Sequence, residues 1–229
     1  MLTLSPADWL AIRVTLKLCL YTTLLLMLLA TPLALWLAAG TSRLRSLVQA
    51  LVALPLVLPP TVLGFYLLLM LGPHGWIGRT LESIGLTHLA FSFEGILIGS
   101  VIYSLPFAVQ PLQQAFRQMG RRPHEVAASL GAGPLDRFLS ITLPLARNGF
   151  IIAATLTFAH TLGEFGVILM IGGSIPGETH VLSTTIYSHA EAMNYPAAHR
   201  LSLLLLGCAF AVLSVIYLAG NRKPPVVQP

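Results

Sequence analysis

The chain has 229 residues, with 13 Lys or Arg and 8 Asp or Glu, so 9% are charged, where an ordinary soluble domain carries about 25%. Hydrophobic residues make up 55% and the mean hydropathy is +0.81, more apolar surface than a core of this size can bury, which excludes a soluble globular domain, a disordered chain and a coiled coil. A net charge of +5 would suggest nucleic acid in a soluble protein, but here the basic residues cluster between apolar runs, a topology signal, and no nucleic-acid partner is expected.

A membrane-crossing helix takes about 20 mostly apolar residues. Five stretches approach that length, so the expected fold is an all-α polytopic membrane protein with one transmembrane domain, 1–229. The first, 14–39, holds a single charge, Lys17, close enough to the end to snorkel. It is too long for a signal-peptide core and reads as a retained helix. Cys19 and Cys208 sit inside apolar runs, so neither a disulfide framework nor a metal site is expected.

The second stretch, 47–71, is uncharged but contains Pro55, Pro59 and Pro60, within LPLVLPPTVLGFYLLL from Leu54 to Leu69. Prolines remove backbone donors, and non-helical backbone at membrane depth persists only where protein covers it or where it lines a cavity. Pro59, Pro60 and Thr61 are therefore candidates for a pathway wall. In the third, 95–112, Gly95 and Gly99 are spaced for close helix packing.

The fourth stretch, 149–171, carries His160 and Glu164, four apart and so on one helix face. Ionisable groups within a span point to function. Counting from Gly149 at about 1.5 Å per residue places Glu164 roughly 22 Å up, toward the outer side. Two readings stand: a carboxylate bonded to backbone amides or a neighbouring helix, or an outer gate or hinge beside Gly163 and Gly166. Thr155 and Thr157 are further lining candidates, although threonines in spans commonly bond their own helix backbone. The fifth, 201–219, is uncharged.

Basic residues mark the cytoplasmic side. With the loop after the third stretch inside, Arg43, Arg45, Arg117, Arg121, Arg122, Arg137, Arg147, Arg222 and Lys223 are cytoplasmic, leaving Arg13, Lys17, Arg79 and Arg200 outside. This gives an external N-terminus and a cytoplasmic C-terminus. Two external loops are long: Gly72 to Phe93, with Trp76 for the interface, and Gly172 to Arg200, with a helix expected from Val181 to Met193.

The cytoplasmic loop, about 113–148, contains RRPHEVAASLGAGPLDRFLSITLPLARNG from Arg121. Pro123 and Glu125 suit a helix start, with Val126 and Leu130 on one face. Gly131 to Gly133 breaks the helix, and Pro134 opens a second one with Asp136 in its first turn and Leu135, Phe138 and Leu139 on one face. Pro144 cannot continue it undisturbed. The residues alone leave two partners open: a groove on another protein, or anionic lipid headgroups.

This loop resembles the signature loop of bacterial ABC importer permeases: Glu125, Ala127, Gly131, then Ile141, Thr142, Leu143 and Pro144, with Val126 where the family commonly has alanine. The Leu-Pro-Leu-Val-Leu-Pro-Pro run, with LGEFG at 162–166 and IPGET at 175–179, resembles permeases of tetrahedral oxyanion importers, particularly those for molybdate; sulfate and tungstate are the alternatives. The resemblance covers most of the chain from about Gly40 onward. It implies coupling helices that dock on a separate ABC ATPase subunit, in two copies, through Glu125, Ala127, Ala128, Leu130, Gly131, Leu135, Phe138, Ile141, Leu143 and Pro144. It further implies a homodimer with the pathway on its two-fold axis, an external oxyanion-binding protein, and a bacterial inner membrane location.

The chain has no G-x-x-x-x-G-K-[ST], and its lysines, Lys17 and Lys223, stand in no glycine loop, so ATP hydrolysis falls to a partner and no cofactor is expected. A remote alternative is an intramembrane enzyme using His160 and Glu164 as acid and base. Against it, the sequence presents no H-E-x-x-H and no nucleophile paired with them. His160 is the one basic group at depth, so tight binding of a dianion within the spans is not expected.

Overall fold

A computed structural model describes residues 4–220; Arg222 and Lys223, assigned above to the cytoplasmic tail, lie outside the described residues. The first helix, α1 (Pro6–Ala38), starts well before residue 14. Hydropathy marks the hydrocarbon length, whereas capping chemistry sets the helix start. Ser5 Oγ accepts the Asp8 N–H at 3.1 Å, Asp8 Oδ2 accepts the Ser5 N–H at 2.8 Å, and Pro6 occupies the first turn. One stripe of α1, including Leu18, Leu26, Ala30 and Leu37, is buried, while Leu20, Leu24 and Leu28 are exposed. Exposed leucines along a 33-residue helix are stable in lipid, where they cost nothing. Lys17 Nζ lies 4.0 Å from the Phe93 ring centroid, so its charge rests on an aromatic face.

The second apolar stretch is divided. It forms α2 (Arg43–Ala53), a 3-10 turn (Leu54–Leu56) and α3 (Pro60–Leu71). A hydropathy window does not register the prolines that part these pieces, which is why 47–71 reads as one run. A turn at Gly72–Gly75 leads to α4 (Trp76–Ser83). By length and apolarity the membrane-crossing segments are Pro6–Ala38, Pro60–Ser83, Phe93–Met119 and Tyr195–Ser214, with a fifth if Pro134–Leu145 and Arg147–Gly163, bent by 74°, count as one.

Helix α5 (Phe93–Met119) is the centre of the bundle, packed on α1, α9 (Arg147–Gly163) and α10 (Gly166–Gly172). It runs seven residues past the expected 112, to a stop at Gly120 with φ of +70°. Gln113, Gln114 and Arg117 mark the end of the hydrocarbon, not the end of the helix. Two apolar clusters hold the bundle. One joins Leu26, Leu37, Val52, Leu112 and Phe116 at the end carrying Arg43 and Arg117; the other joins Leu18, Leu71, Ile96, Val167 and Ile171 at the opposite end.

Between α5 and α9 lie the short elements α6 (Arg122–Ser129), α7 (Pro134–Arg137), a π-helical turn (Phe138–Thr142) and α8 (Leu143–Leu145). The fourth apolar stretch is also broken, with α9 ending at Gly163 and α10 starting at Gly166. Helix α11 (Leu182–Glu191) and the terminal α12 (Tyr195–Gly220) pack together, and α12 lies on α9.

The two broken stretches meet at their breaks. A Cβ at Gly166 would sit 2.9 Å from Pro60 Cβ, and one at Gly64 would sit 2.7 Å from Met170 Cβ and 3.2 Å from Val167 Cα. The backbones of α3 and α10 touch there, so glycine is required by space. Gly64→Val is expected to force them apart and cost about 1–3 kcal/mol, read as a lower melting temperature of the detergent-solubilised protein. Gly207→Ala, with nothing within 4 Å of its Cβ position, should melt as wild type does.

Candidate functional site

The short-helix module begins at Arg122, with Pro123 in the first turn of α6 as the sequence predicts. Its reversal is a glycine turn: Gly131 has φ of +85°, where an L side chain is strained, and its N–H donates to Ala128 O at 3.0 Å while Ala132 N–H donates to Ala127 O at 3.0 Å. Pro144 acts upstream. It offers no N–H to the Ser140 carbonyl and its ring crowds that group, and the preceding turn widens so that Leu143 N–H reaches Phe138 O. The two arms are tied by the buried Thr142 hydroxyl, 3.3 Å from His124 Nε2, a link between residues 18 apart that no local pattern signals.

The apolar ridge expected here is on the surface: Leu130 is 82% exposed, Leu135 70% and Val126 60%. Phe138 and Ile141 are half-buried, as is Ala127, while Glu125, Ala128, Gly131, Leu143 and Pro144 are exposed. Three large apolar side chains at such exposure beside arginines form a patch without a partner among the described residues.

At the opposite end, the break before α10 is closed by Glu164. Its Oε1 accepts the Val167 N–H at 2.8 Å, capping α10, and its carboxylate is buried. Its own carbonyl, left without a helical partner, accepts the Ser183 hydroxyl. Pro60 abuts Gly166 directly, with Pro59 and Thr61 exposed beside the break. So the structure brings Pro60, Thr61 and the residues flanking Glu164 together. His160 is elsewhere on α9, stacked on Phe107 with centroids 4.0 Å apart and bonded through Nδ1 to Ser104 Oγ at 2.9 Å.

The Ser104 contact corrects the expectation that no nucleophile accompanies His160. Ser104 is fully buried, and its hydroxyl is shared with Thr161 Oγ1 at 3.2 Å. With its hydroxyl so engaged, the pair reads as a polar lock between α5 and α9. Thr155 donates to Ile151 O, as expected for a threonine satisfying its own helix; Thr157 is fully buried.

Sequence reasoning passed over the fastening of the segment between α10 and α12. Thr179 Oγ1 donates to Gly172 O at 2.6 Å and accepts the Ile175 N–H at 2.8 Å, closing the IPGET turn. Leu182 N–H donates to Thr15 Oγ1 at 2.8 Å, bonding α11 to α1 across 167 residues. His180 shares a 3.1 Å bond with the Thr185 hydroxyl; burial and then the nearby His189 hold it below the usual histidine range, against the opposing pull of Asp8.

A bundle of membrane-crossing helices, two of them broken at a shared level, with an unpartnered short-helix module at one end, defines a membrane transport component. The model of the family described as the binding-protein-dependent transport system inner membrane component matches residues 30–222, and the chain belongs to that family. A molybdenum transport system permease protein of Azotobacter vinelandii is 55% identical over 96% of this chain and 97% of its own length. One from Escherichia coli K12 is 31% identical over 93% of each. The fold is shared with the crystal structure of a bacterial alginate ABC transporter bound to its periplasmic protein, at a TM-score of 0.72 and 20% identity, covering 98% of this chain and 81% of that one.

Replacing Glu164 separates its cap from its charge. Glu164→Gln keeps an acceptor for the Val167 N–H and should melt close to wild type. Glu164→Ala orphans a buried donor and should lose about 1–3 kcal/mol of stability, read by thermal melting.

Proposed function

We propose that this chain is the permease subunit of an ATP-driven importer of molybdate, working as a homodimer with two copies of an ABC ATPase and an external oxyanion-binding protein. The observation that carries the cargo is the 55% identity to the Azotobacter vinelandii molybdenum permease along nearly the whole of both chains. The N-terminus lies outside, and the end of the bundle with Arg43 and Arg45 at the start of α2, Arg117 in the last turn of α5 and Arg121 before α6 faces the cytoplasm, the side that collects arginine.

The ATPase docks on the ridge of Leu130, Leu135 and Phe138, with Glu125, Ala127, Ala128, Gly131, Ile141, Leu143 and Pro144 around it. Support comes from the exposure of Leu130 and Leu135, which lipid-free water would not favour and a protein groove would. ATP draws the two ATPases together, the short-helix modules follow as levers, and the spans tilt to open outward; ADP release reverses the motion. The 74° bend between the module and α9 lets a push on the module turn α9 and, through Glu164, α10. The pathway runs past the break at Pro59, Pro60 and Thr61, whose shape the buried Glu164 holds as the cap of α10; His160, packed between α9 and α5, stands apart from it.

Leu130→Asp and Gly131→Pro are expected to abolish uptake while the protein stays folded and membrane-inserted. Leu130 is mostly exposed, and proline cannot adopt the positive φ of Gly131. Wild-type uptake by both variants would sink the docking assignment. For the cargo, labelled molybdate uptake by cells deleted for this chain should return on complementation and persist in excess sulfate. Uptake indifferent to the deletion would remove molybdate.

A further inference from the structure

Beneath the bundle, where α1 and α5 end and α6 begins, lies a cavity of about 450 Å³ that the apolar side chains Leu130, Leu135 and Phe138 of the docking ridge do not line, although Glu125 and Ala128 beside that ridge do. Its lining is apolar at Leu35, Phe116 and Met119 and cationic at Arg117, Arg121 and Arg137, with His124 and one carboxylate, Glu125; Phe116 belongs to the apolar cluster of the bundle, whereas Arg117 and Arg121 are exposed. Counting three guanidiniums and one carboxylate, with histidine neutral, the lining carries a surplus of two positive charges. Among the described residues the ion pairs are His88–Glu82 and His189–Asp8, so none of the three arginines is paired within 4.0 Å. The Nε of Arg137 is buried with no hydrogen-bond partner among the described residues. A buried, unsatisfied guanidinium nitrogen is costly unless an acceptor completes it, and the positive surplus of the lining favours an anionic one.

The geometry of α6 separates this cavity from the ridge. Arg121, His124, Glu125 and Ala128 line the cavity and are spaced by three and four, one helix face. Val126 and Leu130 project elsewhere and are exposed. One short helix thus presents an apolar face outward and a polar face back toward the ends of the spans.

We propose that this cavity binds the phosphate group of an anionic phospholipid of the cytoplasmic leaflet, with Arg117, Arg121 and Arg137 as its ligands. The proposal rests on the orientation given under Proposed function. Guanidinium forks match phosphate oxygens in pairs, and a wall that is apolar on the span side and cationic on the water side suits a headgroup whose acyl chains continue into the bilayer. A soluble anion would use the arginines and leave Leu35, Phe116 and Met119 idle. A lipid seated there joins α1 and α5 to α6 and stiffens the lever between the ATPase and the spans.

The test uses the whole importer, purified in mild detergent with its ATPase and binding protein, and in nanodiscs of phosphatidylglycerol or phosphatidylcholine. Native mass spectrometry should find phosphatidylglycerol retained by wild type, about fivefold weaker for each arginine removed in Arg117→Ala and Arg121→Ala. Arg147→Ala, on the same side but outside the cavity, should retain it. Nanodiscs of phosphatidylglycerol should raise the melting temperature of wild type and not of the double variant. Equal retention by the double variant and wild type would overturn the site. Displacement of bound lipid by millimolar inorganic phosphate, with no preference between lipid classes, would overturn the lipid as its occupant. ATPase co-purification is scored in the same samples: its loss from wild type would strike the docking assignment and leave lipid retention to be judged by itself.

Discussion

Hydrocarbon offers no hydrogen bonds, so each backbone amide freed by a break in a membrane helix must find its partner within the protein. This constraint governs where the molecule can depart from helix. The stretch 57–59 precedes α3 and 164–165 parts α9 from α10, and each break is placed against the other. Prolines at 59 and 60 have no N–H to satisfy; Glu164 supplies its carboxylate to Val167 N–H; Ser183 caps the Glu164 carbonyl. Gly64 and Gly166 make the approach close enough to shut out lipid. Two short non-helical segments are thereby tolerated where the helices meet.

Around that paired break, α5 acts as a post. Hydroxyl contacts from Ser104 to His160 and Thr161 lock it to α9, Gly95 and Gly99 admit Val167 and Ile171 of α10, and α1 lies along its length. Beside this post the short-helix module and α9 meet at a 74° bend at Ala146, the joint on which the proposed coupling between module and spans would turn. The segment between α10 and α12 is fastened by Thr179 and by the Leu182–Thr15 bond.

The module shows how much mechanism a short segment can carry. Pro123 starts α6, Gly131 turns it, and Pro134 starts α7, all legible from the letters because each acts on its own backbone. Pro144 was legible as a disturbance, though not its form: whether a helix bends, stops or widens into a π turn depends on what the neighbouring carbonyl can reach. The tie from Thr142 to His124 and the arginine-lined cavity were not legible at all, being contacts between elements. Ser104 beside His160 belongs with them, since one serine in an apolar helix carries no hint of the partner 56 residues away.

By itself the sequence determined the solvent, the number and polarity of the apolar stretches, and the composition of the loop, because transfer from water to hydrocarbon is summed residue by residue and needs no knowledge of neighbours. The family motifs are likewise local strings. Tertiary structure decided where the helices begin and end and which breaks meet. It decided that Glu164 caps a helix, not that it faces an open pore, and that Arg117, Arg121 and Arg137 share a cavity. Those outcomes turn on hydrogen bonds and charges satisfied across distances the chain order does not encode, and only the packed bundle brings their partners together.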